Sequence, residues 1–208
     1  MVRKVVEKVP DEVLQADLER YRQYALELGA EDAKIITTDL IAFDPRADAR
    51  CRYPMCGAYG TSVNCPPHAE TLEQTKQTVE LFRYAVIFTI TVPSKEAAGR
   101  ETGGAHHKYL RKMFEIISKV EAQAFMDGYY FALGYAPGPC KAIFCPDVEC
   151  SVLHGESCRA SFQARSEGSG LDMYLTATRV GWDIYPCGRC VMPEDIPYAR
   201  LVSFVLIY

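Results

Sequence analysis

Nine cysteines stand in this chain of 208 residues, and seven of them are gathered into two short stretches that no regular helix or strand would produce. The first group reads Cys51-x4-Cys56-x8-Cys65-Pro66-Pro67, and the second reads Cys140-x4-Cys145-Pro146-x3-Cys150-x7-Cys158. Pro54, Gly57, Gly60 and the proline pair break regular structure in the first, so it is expected as a loop. Glycines and prolines do the same from Gly134 to Cys158, giving Cys-rich loops at 51–67 and 134–160. Cys187-Gly188-Arg189-Cys190 adds a separate pair.

The redox setting decides what so many thiols are for. Met1 to Val9 mixes Arg3, Lys4, Glu7 and Lys8 with valines and has no apolar signal core, so a cytoplasmic, reducing location is expected, in which disulfides are disfavoured. Metal binding is then the leading reading. Cys140, Cys145, Cys150 and Cys158 form a complete four-thiolate set for one iron–sulfur cluster, and Cys-Pro at 145–146 and 65–66 resembles the Cys-Pro that closes ferredoxin runs. Cys51, Cys56 and Cys65 supply three thiolates, which Cys187 or Cys190 would complete to four. Two [4Fe-4S] clusters are the expectation. Zinc is the alternative, although neither long group contains the Cys-x2-Cys spacing that structural zinc favours. His68 and His154 lie beside the cysteines, while His106-His107 opens a helix.

Hydrophobic periodicity gives the scaffold. Leu14, Leu18, Tyr21, Ala25 and Leu28 mark a helix over residues 11–28 ending at Gly29, and a strand is expected from Lys34 to Phe43. A second helix follows Pro66-Pro67 with Leu72, the stem of Lys76, Val79 and Phe82 on its inner face. Val86 to Val92 is a buried strand ended by Pro93, and Ser94 to Ala105 a mobile loop. Leu110 to Ala124 is a long helix ending at Gly128; strands are expected at Tyr129 to Leu133, Trp182 to Tyr185 and Leu201 to Ile207, with a helix at Leu171 to Arg179. The order implies a single α/β domain over residues 1–208, with a mixed central β-sheet flanked by helices; an α+β sandwich is the alternative.

A net charge of −4 lacks the basic excess that nucleic acid or an anionic membrane surface would need. The longest apolar runs, Tyr84 to Val92 and Leu201 to Tyr208, are too short to span a bilayer. Nucleotide-binding glycine motifs and the Gly-x-Ser-x-Gly elbow are absent from the sequence. The expected partner is a redox protein or a small-molecule substrate.

Cys51, Cys56, Tyr59-Gly60 and Cys65-Pro66-Pro67, then the cysteine run ending Cys158-Arg159, then Ala164-Arg165-Ser166-Glu167 leading into Gly170-Leu171-Asp172, resemble the DUF2284 family of metal-binding proteins of unassigned chemistry, found largely in anaerobes. The resemblance covers residues 51 to about 182 and implies an iron–sulfur or other metal site; it does not extend to Cys187-x2-Cys190. Two functions remain open: an electron carrier or redox accessory subunit, and an enzyme in which a cluster with three thiolates leaves one iron free for substrate. In the second, Arg52, Tyr53, Tyr59, Arg159 and Arg165 are candidates to position an anion. A zinc-stabilised interaction domain is a third, non-redox reading.

Overall fold

The computed structural model describes residues 2–53, 56–98, 105–160, 165–166, 170–188 and 190–208. Helix α1 (Asp11–Glu27) turns Leu14, Leu18, Tyr21 and Ala25 into the core, and the chain leaves it through Gly29, whose φ of 102° favours glycine. Then come β1 (Asp32–Thr37), a 3-10 turn (Thr38–Leu40), α2 (Pro45–Arg52), α3 (Leu72–Glu80), β2 (Tyr84–Pro93), α4 (Ser94–Ala97) and α5 (His107–Met126). The second half adds β3 (Leu133–Ala136), α6 (Cys140–Phe144), a 3-10 turn (Ser151–His154), β4 (Arg165–Ser166), α7 (Met173–Arg179), a 3-10 turn (Pro193–Asp195) and β5 (Tyr198–Leu206).

The strands form one mixed sheet in the order β1-β2-β5-β3-β4; the first four are antiparallel neighbours, and the two-residue β4 lies parallel to β3. Strand periodicity of two splits the core into two layers. Val86, Phe88 and Ile90 of β2 and Val205 of β5 face α1 and α5, whereas Ala85, Ile87, Phe204 and Leu206 face the other way, onto Val79 of α3, Ala177 of α7 and Trp182. The expected mixed α/β architecture is therefore present. Among the described residues no helix is long and apolar enough to cross a membrane.

Several local expectations are corrected. The strand placed at Tyr129 to Leu133 begins at Leu133; Tyr129 to Ala132 are turn, because Tyr129 sends its hydroxyl to Asp17 (2.8 Å) instead of joining the ladder. Trp182 to Tyr185 is extended but unpaired, and Trp182 is held by its indole N–H donating to Asp32 (2.6 Å). The strand expected from Lys34 to Phe43 stops at Thr37, with Phe43 forming only an isolated bridge to Leu171. On α3 the buried face carries Thr75 and Val79, and Lys76 is exposed. The loop expected from Ser94 to Ala105 starts as α4; residues 99–104 lie outside the described residues.

The site depends on how closely α5 packs on β3. A Cβ on Gly134 would stand 2.2 Å from the Ile117 side chain, so this crossing requires glycine. The chain then leaves β3 at Ala136 and reaches Cys140 within four residues.

Candidate metal centre

The two cysteine groups end up around two adjoining cavities. Cys140 is the first residue of α6, Cys145 its C-cap, and Cys150 the N-cap of the following 3-10 turn. With Cys158, all four line one narrow cavity of about 40 Å³, alongside Ser62, Asn64, Lys141 and Arg159. The loop expected at 134–160 thus contains the end of β3, the short helix α6 and a 3-10 turn, and it is these, rather than one helix face, that bring the thiols around a common space.

The second cavity is wide, about 670 Å³, and is lined by Cys51, Cys56 and Cys65 together with Arg46, Arg50 and Tyr174. Cys51 is not in a loop as expected. It occupies the last turn of α2, a helix capped by Asp44, whose carboxylate accepts the Arg46 backbone N–H (2.8 Å). The chemistry-bearing arginines also differ from those expected. Arg52 pairs with Asp48 (2.9 Å) and, with Tyr59, lines a separate hollow; Tyr53 is exposed; Arg165 lies in another cleft; Arg159 alone of the five faces a cysteine cavity. Arg46, Arg50 and Tyr174 were not singled out by the sequence, because α2 and α7, far apart along the chain, both line this cavity only in the folded structure.

Ser62 to Cys65 forms the partition between the cavities. Ser62 is fully buried, and its hydroxyl lies 4.0 Å from the Cys140 sulfur, while the Asn64 amide donates to the same sulfur at 3.7 Å. Burial pushes the Cys140 thiol up, with Ser62 and Asn64 opposing it, and burial likewise raises Cys65, again opposed by Ser62. Burial is also the main reason Cys51 is raised, helped by the charges of Cys56, Asp48 and Cys65. Cys150 goes the other way: burial raises it, but the backbone N–H groups of Val63, Leu153 and Val152, with Lys141 nearby, outweigh that and lower it. The thiolate form is thus favoured at Cys150 and the protonated form at Cys140, Cys65 and Cys51, each relative to an ordinary cysteine.

The charge of Cys150 raises both Cys65 and Cys140, and that of Cys65 raises Cys140, so the two groups are electrostatically linked. Among the described residues no three His, Cys, Asp or Glu side chains converge closely enough to hold a single metal ion. The thiols surround a space instead of a point. None of the nine cysteines is in a disulfide.

Cys187 and Cys190 line neither cavity. Cys187 packs against the small apolar cluster of Val92, Ala98, Ile196 and Ala199, and burial raises its thiol; its backbone N–H donates to the Tyr174 hydroxyl (3.4 Å), one side chain away from the wide cavity. His154 pairs with Glu149 (3.0 Å), and His68 lines a neighbouring cleft that contains no cysteine.

The chain belongs to the DUF2284 family, described as predicted metal-binding protein, whose model matches residues 34–207. The match extends beyond the span of motifs legible in the sequence, taking in β1 and β5. No curated protein and no solved structure matches it.

Proposed function

We propose that this DUF2284 chain is an iron–sulfur protein in which Cys140, Cys145, Cys150 and Cys158 hold one [4Fe-4S] cluster and Cys51, Cys56 and Cys65 hold a second, and that it serves as an electron carrier or redox accessory subunit. One observation carries the reading: the fold sorts seven cysteines into a set of four and a set of three around adjoining cavities, with Ser62 touching a thiol of each. Clusters of this type take up to four thiolates, so the set of three leaves one iron of its cluster to another ligand, and hydrogen bonds to the cluster sulfurs tune the potential. Such a centre supplies one-electron redox chemistry. The chain's part is to deprotonate and space the thiols: Lys141 and three backbone N–H groups stabilise negative charge at Cys150, while Ser62 and Asn64 do so at the partition. A redox protein is the partner this role requires.

A second reading has its own support. The set of three opens onto the wide cavity with Arg50 and Tyr174, and neither Cys187 nor Cys190 lines it. Three thiolates leave one metal position for a substrate, which an arginine and a phenol there would orient.

Anaerobic purification followed by iron, sulfide and zinc analysis, with EPR of the reduced protein, tests both. About eight irons and as many sulfides per chain are expected for two cubane clusters; stoichiometric zinc without sulfide would overturn the redox readings. Cyanide that alters one EPR signal and leaves the other intact would assign the open position, and indifference of both signals would remove the enzyme reading.

A further inference from the structure

A cleft of about 460 Å³ shares Val63 and Asn64 with the lining of the four-thiol cavity but is lined by no cysteine. Glu121 and Phe125, one helical turn apart on α5, line it together with Tyr130, Leu133, Glu70 and Arg165. We propose that this cleft binds a small organic ammonium ion, with Glu121 as its counter-charge and Phe125 and Tyr130 as its aromatic walls.

Charge accounting selects a cation over an anion. Arg165 donates to Glu70 at 3.3 Å, and the Tyr135 hydroxyl donates to the other Glu70 oxygen at 3.3 Å, so these two charges are matched to each other. Glu121 accepts only the Gly134 backbone N–H (2.5 Å) and has no ion pair among the described residues. Burial raises its carboxyl, opposed by that N–H and by Arg165 at longer range. An ionised carboxylate in such a place is costly unless a cation joins it. Phe125 and Tyr130 remain 59% and 49% exposed beside it, and aromatic faces attract ammonium groups. An anionic ligand would instead have to displace Glu70 from Arg165 and meet Glu121 unshielded. None of this depends on which metal the thiols hold.

Calorimetric titration of the purified protein at neutral pH with butylammonium and benzylammonium chlorides, and with butyrate and benzoate as anionic counterparts, tests it. Saturable binding of at least one ammonium is expected, at least about ten-fold tighter than its carboxylate counterpart. Glu121→Gln, which keeps an acceptor for the Gly134 N–H, should weaken it by at least about ten-fold, and Tyr130→Ala on the exposed wall by several-fold. Absence of saturable ammonium binding, equal binding of the carboxylates, or unchanged affinity in Glu121→Gln overturns the proposal. Should Glu121→Gln fail to fold, unchanged affinity in Tyr130→Ala does so alone.

Discussion

Two constellations of buried polar groups meet opposite ends in this chain. Where α1 meets the end of α5, Asp17 is held by Arg3, by Arg20 (2.6 Å) and by the Tyr129 hydroxyl (2.8 Å), and Asp127 by Arg20 (2.8 Å), the Tyr21 hydroxyl (2.9 Å) and Gln123 (3.0 Å). Every charge there has its partner from the chain itself. At the other constellation four thiols line one small cavity, and the chain provides Ser62, Asn64, Lys141 and a few N–H groups but no counter-charge sufficient for four thiolates. The first arrangement is complete and stabilises the fold; under the proposed function the second is completed by a bound cluster. Glu121 stands between them, with one backbone donor and, among the described residues, no ion pair.

The sharpest way to break this contrast is to take one member from each side. Cys140→Ser should remove about four of about eight irons, while Asp17→Asn leaves iron and sulfide unchanged; metal loss in the second variant would show that the two ends are not independent. Asp17→Ala should cost about 3 kcal/mol of stability in chemical denaturation, because Arg3 and Tyr129 lose their partner and Arg20 keeps only Asp127. A cost below about 0.5 kcal/mol would place Asp17 among ordinary surface charges.

Acid titration separates the carboxylates by sign. Burial opposes it, but Arg3, Arg20 and Tyr129 lower Asp17 from its ordinary 3.8 to about 2. Its contribution is therefore complete above about pH 4 and is lost as pH falls toward 2, a loss that Asp17→Asn should not show. Glu121 is raised above its ordinary 4.5, mainly by burial, so its contribution is complete below that value and lost as pH rises through the folded value. Thermal unfolding of Glu121→Gln beside the native protein should show the variant gaining as pH climbs from 4 to 8, by less than Asp17→Ala loses; a gap that does not change with pH would mean that Glu121 is not under strain. The smallest effect belongs to Cys187→Ser and Cys190→Ser, which should leave iron content and EPR signals as they are. A fall in iron with either would bring that pair into the centre after all.

Long periodic segments were legible. Leu14, Leu18, Tyr21 and Ala25 repeat at helical spacing, and Val86 to Val92 is a run that only a buried strand accommodates, so α1, α5, β2 and β5 were read within a few residues. Short elements were not, since four-residue β3 and two-residue β4 owe their state to pairing with β5 and with each other. Trp182 has the composition of a strand residue, yet its indole N–H finds Asp32 and no ladder forms.

The amino-acid sequence by itself determined that Cys140 to Cys158 share one short stretch and that Cys51, Cys56 and Cys65 share another, because cysteine spacing is a local property, but not that Cys51 lies in the last turn of helix α2 or that Cys140 opens helix α6. Only the tertiary structure decided that Ser62 touches a thiol of each group, that Arg50, Tyr174 and Arg46 (itself paired with Asp44) line the cavity of the set of three while Arg52 pairs with Asp48 outside it, and that Cys187 lines neither cavity. It also decided that Glu121 and Tyr130 share a cleft. Those neighbours come from separate helices and turns, and their meeting is set by how α2, α5 and α7 pack around one sheet, a relation that no local run of residues encodes.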